Sequence, residues 1–280
     1  MRFNEQILYN DNNCAVIKTF HSNVAPTKRI FNEHHHTECE LSLLISGSGI
    51  YKTPKKEYSF KQGDIFLFGS NETHCITEIY EELNLLNVHF EPRILWETPE
   101  NIDLLNLFAS RNTNFKNKFP GTDTILRDTI LNIENELSAQ RIGYKMQAKY
   151  MLLYALLHIL RNYNYITSDS FYYKNLSTIQ KLKTAISYID QNLDSTLTLK
   201  EISNVACMSQ THFSMLFKKF NGISPWDYIT IKRVEMAIIL LKTTDLSKLE
   251  IAERCGFSGH SNFYKMFKKI TGKTPSDYVI

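Results

Sequence analysis

Three histidines and one glutamate in the first third of the chain have a spacing suited to binding a metal ion or a small polar ligand. His34, His36 and Glu40 form the pattern HxHxxxE, and His74 follows eleven positions after Gly63. Imidazole nitrogens and carboxylate oxygens are ligands for zinc, iron, manganese or nickel. The same groups can line a pocket and hydrogen-bond a sugar without a metal, or serve a purely structural role. These three interpretations stay open on the residues alone.

Two further residues extend this candidate effector-binding set. His89 lies in a late apolar run and Trp96 follows it. Either could close a pocket, and an indole offers a sugar an apolar surface for stacking, although packing in the core explains both equally well. The chemistry requires no cofactor, and a divalent metal in the pocket is an additional possibility.

The elements that must position these residues are β-strands. From about residue 15 to residue 92, short apolar or alternating runs such as ELSLLIS, DIFLFG and LNLLNVHF are separated by Gly, Pro, Asn and Lys. Six or more short strands with this spacing predict a sandwich or a barrel.

Within these strands the pattern resembles the two motifs of the cupin fold. The first motif is carried by His34, His36 and Glu40 with Gly47, and the second by Gly63 and His74. The resemblance implies a small β-barrel in which His34, His36, Glu40 and His74 would be the metal ligands. The second motif departs from the pattern, because Gly69 stands where a proline is usual and Asn71 where a glycine is usual. We therefore expect the loop that carries His74 to be displaced.

Residues 101–166 change to a helical period. Leu126, Ile130, Ile133 and Leu137 form a narrow stripe, and the run from Tyr150 to Leu160 is apolar nearly all round. The second helix is therefore predicted to be well buried, against the barrel or against a second subunit. The aperiodic stretch that follows, at 167–174, is predicted to be an interdomain linker.

The net charge of +3 conceals a segregated distribution. Residues 1–170 hold 17 basic and 20 acidic residues, whereas residues 171–280 hold 15 basic and 9 acidic residues, a balance of +6. An excess of positive charge in the last 110 residues suits a module that binds a polyanion.

The same basic region contains an internal repeat. The segment 201–229 can be laid on 250–279, so that Phe213 matches Phe263 and Phe217 matches Phe267. Each copy is predicted to be a helix, a tight turn and a second helix, which is the arrangement of a helix-turn-helix motif. Gly256 suits the second turn, and Ser258 is predicted to cap the helix after it.

A longer helix is predicted between the two copies. Ser224 suits its N-cap, Pro225 its first position, and the apolar stripe continues to about Thr243. Its 19 residues span about 28 Å, close to the ~34 Å between successive major grooves on one face of a duplex. One rigid helix could therefore hold the two helix-turn-helix copies at the spacing of two major grooves.

The run IAERCGFSGHSNFYKMFKKITGKTPSDYV, with its preceding copy, resembles the signature of AraC/XylS-type transcription regulators over residues 175–280. The resemblance implies that the helices at 210–220 and 260–271 enter adjacent major grooves. Cys207 departs from the small or glycine turn residue that is usual, and Ser203 stands where the second copy has Ala252. Neither departure is expected to break the motif.

The polar faces of the two reading helices supply the candidate DNA contacts. The predicted contacts to base edges are Thr211, His212, Ser214, Met215, His260, Ser261, Asn262 and Lys265. The predicted contacts to phosphates are Lys218, Lys219, Lys268 and Lys269. Neither helix contains arginine, so readout is expected to rely on A·T-rich sites, thymine methyls and DNA shape.

Other function classes receive little support from the sequence. The chain has no P-loop, nucleophile elbow or dinucleotide-binding glycine pattern, and its five cysteines are scattered with no CxxC pair. No apolar run reaches the ~20 residues of a membrane span, and the first residues lack the apolar core of a signal peptide. We expect a cytoplasmic protein that contacts no membrane and is not an enzyme.

The sequence therefore predicts an α+β protein in four parts: a cupin-like effector-binding barrel at 1–100, a helical dimerisation segment at 101–166, a linker at 167–174 and a double helix-turn-helix domain at 175–280. We expect a homodimeric transcription regulator, an activator by family resemblance, that binds double-stranded DNA and contacts RNA polymerase. A small molecule in the barrel, most simply a sugar, would control it. The alternatives are a constitutive or metal-responsive regulator and a cupin metalloenzyme with a tail that tethers it to nucleic acid.

Overall fold

The computed structural model forms two compact units, residues 17–175 and residues 176–278. The described residues are 17–27, 34–96, 103–109, 111, 113–164 and 169–278. The first unit contains two antiparallel sheets and a helix pair, and the second is helical, which confirms the predicted α+β class.

The first unit has a five-stranded sheet in the order β1-β7-β2-β5-β8 and a three-stranded sheet in the order β4-β3-β6. The strands are β1 Ile17–Val24, β2 Cys39–Ser46, β3 Ser48–Lys52, β4 Glu57–Lys61, β5 Ile65–Phe68, β6 Cys75–Ile79, β7 Leu83–Phe90 and β8 Lys118–Phe119. β2 lies between β7 and β5 and pairs with both, and its first six residues are buried. Glu40 on β2 is therefore in the middle of the larger sheet.

An aromatic and aliphatic core joins the two sheets. Its members come from both sheets and are all buried: Leu44, Tyr51, Tyr58, Phe60, Phe66, Phe68, Ile79, Leu83 and Leu85. On β4 the alternation of buried and exposed residues aims Tyr58 and Phe60 into this core, as a period of two requires. This confirms the predicted β-rich N-terminal domain, which is built from two packed sheets.

A helix pair packs beside the sheets. After a 3-10 turn at Pro92–Trp96 and the short helix α1 Asn106–Ala109, α2 spans Thr124–Ala139 and α3 spans Tyr144–Asn162. Asp123 caps α2 by accepting from Leu126 N at 3.0 Å. The same carboxylate accepts from Tyr163 and contacts His158 at 2.9 Å, which ties the end of α3 to the start of α2.

The burial of the pair within a single chain bears on the predicted packing of the second helix. Leu126, Ile130 and Ile133 of α2 are fully buried, as their spacing predicts. On α3, however, Met146, Tyr150 and Tyr154 are more than half exposed. Within one chain α3 buries one face against α2 and β1 and leaves the opposite face exposed, so burial of that face would need a second subunit.

The second unit is built from six helices and a final turn. They are α4 Asp169–Gln191, α5 Leu199–Val205, α6 Gln210–Asn221, α7 Pro225–Thr243, α8 Lys248–Arg254 and α9 His260–Thr271, followed by a 3-10 turn at Pro275–Tyr278. Residues 169–174 lie in the first turns of α4, so most of the predicted linker is helical. Ser224 caps α7 and Pro225 opens it, as predicted.

The repeat is visible as two helix-turn-helix units, α5–α6 and α8–α9. The four phenylalanines Phe213, Phe217, Phe263 and Phe267 are fully buried. The turns correspond as well, with Cys207 at φ +50° and Gly256 at φ +72°.

The caps of the two reading helices differ. Ser209 caps α6 through the backbone N–H of His212, as the serine at that place suggests. The predicted cap Ser258 does not act on α9, whose N-cap residue is Gly259. Ser258 instead accepts a hydrogen bond from the Asn262 side chain.

Candidate functional site

Four polar side chains of the sheet domain meet around one carboxylate oxygen. Glu40 Oε2 lies 3.0 Å from His36 Nε2, 3.2 Å from His89 Nε2 and 3.4 Å from His74 Nε2. The Glu40 and His74 side chains are almost completely buried, whereas those of His36 and His89 keep 18% and 11% of their surface exposed. We call His36, Glu40, His74 and His89 the Glu40 cluster; it has a buried side and a side that solvent reaches.

Neighbouring strands bring these residues together. Glu40 on β2 lies opposite His89 on β7, and His36 reaches back to Glu40 from the segment before β2. His74 precedes β6, where its ring stacks on Phe68 at 4.1 Å. The cluster is therefore held by two strands, β2 and β7, and by the segments immediately before β2 and β6.

The electrostatics of the cluster keep Glu40 ionised. Burial raises the pKa of a carboxyl group, but the interactions with the imidazoles of His36, His74 and His89 outweigh burial and hold the pKa of Glu40 well below its ordinary value. Burial likewise opposes charge on His36, yet its contacts with Glu40 and Glu38 raise the pKa of His36 overall. At neutral pH the cluster presents a carboxylate among imidazoles.

The buried polar side extends through two residues that the sequence analysis did not single out. Ser42 donates to Glu40 Oε1 and also lies 3.2 Å from Asn87 Oδ1. The Asn87 amide in turn donates to Ser22 on β1 at 3.0 Å. The sequence contains a pattern that could have identified both. Glu40 and Ser42, like Asn87 and His89, are polar residues at alternate positions of otherwise apolar strands, so each pair lies on one face of the sheet.

His34 takes a different place from the one that the cupin motif implies. Its backbone pairs with that of His74, and its ring lies edge-on to the His74 ring at 4.6 Å, but it is exposed and outside the Glu40 cluster. His89 supplies the third imidazole instead. The side chain of Trp96 lies outside the described residues, and His35 is exposed.

The expected displacement of the His74 loop is wrong. Asn71 adopts φ +57° at the position where the motif usually has glycine. Asparagine tolerates the left-handed conformation better than most residues, so the turn forms without glycine. His74 is then buried, with its Nε2 3.4 Å from Glu40 Oε2.

The donor set fits a divalent metal. One ligand atom each of His36, Glu40 and His89 lies within 4.8 Å of the others, and the set combines imidazoles with a carboxylate. His74 Nε2 is buried 3.4 Å from Glu40 Oε2 and makes no hydrogen bond of good geometry. A cation between these atoms would satisfy this nitrogen.

The second candidate site is the polar face of the reading helices. On α6 the exposed residues include Thr211, His212, Met215, Lys218 and Lys219, while Ser214 is half-buried. On α9 the exposed residues are His260, Ser261, Asn262, Lys265, Lys268 and Lys269. All twelve predicted DNA contacts therefore lie on the faces that the buried phenylalanines leave to solvent.

One residue on this face was not predicted. Tyr264 is half-buried, and its ring lies 4.4 Å from the ring of His260. It occupies the place in the second copy that Ser214 occupies in the first, so the repeat itself marks it. The pair offers an apolar surface beside the polar face, which suits contact with a thymine methyl.

Two family models match the chain. Residues 20–141 match the AraC-like ligand binding domain, and residues 202–279 match a helix-turn-helix domain.

Among the described residues, no helix is long and apolar enough to span a membrane.

Curated relatives are similar over most of the chain. The arabinose operon regulatory protein of Escherichia coli (strain K12) is 27% identical over 241 residues, covering 85% of this chain and 79% of that protein. The HTH-type transcriptional activator RhaR of Escherichia coli O1:K1 / APEC is 25% identical over 253 residues, covering 89% and 87%. Among solved structures, a transcriptional regulator with an AraC-type DNA-binding domain from Chromobacterium violaceum is 28% identical, with a TM-score of 0.35, and covers 37% of this chain and 93% of that chain.

Proposed function

Because the chain is a member of the AraC/XylS family of transcription regulators, we propose that a small molecule bound at the Glu40 cluster controls how its helix-turn-helix units act on DNA. The observation that carries this proposal is an ionised, buried carboxylate among three imidazoles inside the ligand-binding domain. The ligand would act by binding two arrangements of the regulator with different affinity.

We propose a sugar as the effector class. Sugar hydroxyls both donate and accept hydrogen bonds, and the accessible edges of His36 and His89 offer both roles. The ring of Phe20 lies 4.8 Å from that of His89 and is 41% exposed, which provides the apolar surface that sugar rings favour. One relative is named for the arabinose operon, which agrees with this class.

A thermal-unfolding experiment on the full chain tests the effector. A panel of mono- and disaccharides is added with and without EDTA, and one of them is expected to raise the unfolding midpoint, since a ligand at 100 times its Kd stabilises by about 2.7 kcal/mol. His36→Ala is expected to abolish the shift. His35→Ala, an exposed neighbour, serves as the matched control and should keep it. A shift that survives His36→Ala would remove the effector from this cluster.

A resident metal is the second candidate at the same place. His36, Glu40 and His89 would hold the ion, and the buried Nε2 of His74 beside Glu40 favours it as a further ligand. A bound cation would supply a Lewis acid for oxygen atoms of an effector. Metal analysis of the purified protein, with EDTA lowering the unfolding midpoint and zinc, manganese or nickel restoring it, would support a metal-responsive regulator or, with turnover, a metalloenzyme. Midpoints insensitive to EDTA and a protein free of metal would exclude both.

We propose that the regulator is a homodimer formed through α3. Met146, Tyr150 and Tyr154 recur every four residues on its open face and are 61%, 59% and 52% exposed. A second copy of the same helix would cover this stripe with a matching one. Tyr150→Glu is expected to produce monomers in sedimentation, whereas Ile125→Glu, which places the same charge at an exposed apolar position of α2, should leave the dimer intact. A dimer unaffected by Tyr150→Glu contradicts the proposed interface.

We propose that the two reading helices, α6 and α9, enter adjacent major grooves. The bound regulator would then activate transcription by contacting RNA polymerase. Both steps would take place in the cytoplasm, where the DNA lies. Selection from a random DNA library followed by transcription in vitro with and without the effector tests this. Sequence-selective binding that the effector leaves unchanged would indicate a constitutive regulator. Binding without sequence preference would mean that the basic C-terminal unit only tethers the protein to nucleic acid.

A further inference from the structure

The two helix-turn-helix units are attached to different parts of α7. Near its start, Tyr228 lies 5.6 Å from the ring of Phe217 of the first unit and donates to Asp190 of α4 at 3.1 Å. Farther along, Val234 and Ile238 belong to the core that α8 and α9 complete. With attachment through one helix alone, the relative angle of the two readers would depend on the bending and twisting of α7.

Arg233 makes a second attachment between these two points. Its Nε donates to the carbonyl of Leu193 at 2.9 Å, and its Nη2 donates to the carbonyl of Ser195 at 2.8 Å. Both carbonyls belong to the connection between α4 and α5, immediately before the first helix-turn-helix. A planar guanidinium that donates two bonds fixes direction as well as distance, which a lysine ammonium does not.

The turn of the second helix-turn-helix closes on the same point. Gly256 has φ +72°, and a Cβ added there would overlap the carbonyl oxygen of Leu193 and lie 2.9 Å from Cζ of Arg233. The connection before the first unit, the middle of α7 and the turn of the second unit therefore meet at Arg233. We call Leu193, Ser195, Arg233 and Gly256 the junction.

We propose that Arg233 is a positioning residue that fixes the distance and rotation between the two reading helices, so that the regulator accepts two DNA half-sites at one spacing. This inference rests on the proposed reading of adjacent grooves by both units. One base pair inserted between the half-sites rotates the second by about 35° and moves it by about 3.4 Å. A rigid pair of readers then loses one of its two contacts, whereas a pair joined only by α7 follows the DNA.

The test measures how affinity depends on half-site spacing. DNA selected from a random library by the full-length wild-type chain is compared with the same duplex carrying one inserted or one deleted base pair. We expect the wild type to lose about tenfold or more in affinity on insertion, the cost of about 1.4 kcal/mol, since loss of even one base contact costs 1–3 kcal/mol. For Arg233→Met, we expect weaker binding to the selected spacing and a penalty for insertion below about threefold.

Two further variants separate positioning from charge and from folding. Arg254→Met removes the same charge from an exposed residue near the junction and should weaken all spacings alike while keeping the tenfold penalty. Arg233→Lys keeps the charge but not the paired donation, and should reduce the penalty even if Arg233→Met fails to fold. Thermal unfolding reports folding for each variant.

The outcomes distinguish the inference from the function on which it rests. If the wild type selects a site with a spacing penalty and both Arg233 variants keep that penalty, the positioning role is wrong while the DNA-reading function stands. If the wild type selects only one half-site, the second unit does not read DNA, and both the proposed reading and this inference fall.

Discussion

The repeat provides a matched experiment on backbone strain, because its two turns require the same conformation but use different residues. Cys207 sits at φ +50° in the first turn and Gly256 at φ +72° in the second. A residue with a side chain in the left-handed region costs about 1–2 kcal/mol, which glycine avoids. Glycine in turn loses about 0.5–1 kcal/mol more conformational freedom on folding.

Cys207→Gly is therefore expected to increase the free energy of unfolding by about 0.5–1 kcal/mol, because the gain in the turn exceeds the loss of chain freedom. The Cys207 side chain is exposed, so little burial is lost. The reverse change, Gly256→Ala, adds both the left-handed cost and an overlap with the carbonyl of Leu193. It should destabilise by about 1–4.5 kcal/mol, which is the left-handed cost of about 1–2 plus the overpacking cost of about 1–3, less the 0.5–1 that replacing glycine regains.

The assay must report the second unit alone. The chain has two tryptophans, Trp96 and Trp226, so a Trp96→Phe background leaves Trp226 on α7 as the reporter of denaturant unfolding. Both substitutions are made in this background and compared by midpoint and slope. A loss of stability in Cys207→Gly, or equal effects of the two substitutions, would refute the assignment of strain to the first turn.

Three other predictions follow from single contacts. Hydrogen bonds with Asn84 and Glu134 raise the pKa of His21, so its contribution of about 0.2–1 kcal/mol should be present below pH ~6.5 and fade as pH rises through the raised pKa. The loss of unfolding free energy in His21→Gln relative to the wild type should thus be larger near pH 5.5 than near pH 8.5. Asp123→Ala should lower the free energy of unfolding of the first unit by about 2–3 kcal/mol in denaturant titrations, because a helix cap and two side-chain bonds are lost together; a change below about 0.5 kcal/mol would contradict this. Lys265→Ala should weaken binding to the selected DNA more than binding to random DNA in gel-shift titrations, and an equal loss on both would assign Lys265 to the phosphates.

Features set by neighbours along the chain could be predicted from the sequence. Ser224 and Pro225 begin α7, and Phe213 and Phe263 are buried, because caps and helical stripes depend on residues within one or two turns. The repeat strengthens each of these predictions, since a residue pattern that occurs twice at corresponding positions rarely arises by chance. The basic helix-turn-helix unit was identifiable for the same reason.

The Glu40 cluster was only partly predictable. His36, Glu40 and His74 follow from the motif, but the choice between His34 and His89 depends on which strand pairs with β2. Register between strands far apart in the chain is decided by packing across both sheets, and no local pattern encodes it.

The sequence by itself determined the order of the elements, their caps and their apolar faces, since these are properties of short segments. The tertiary structure alone decided that His89 joins Glu40, that one face of α3 is left exposed by its own chain, and that Arg233 meets Leu193 and Gly256. Each of these depends on atoms brought together from segments tens of residues apart, where the free energy of contact has to exceed the entropy lost in closing the chain between them.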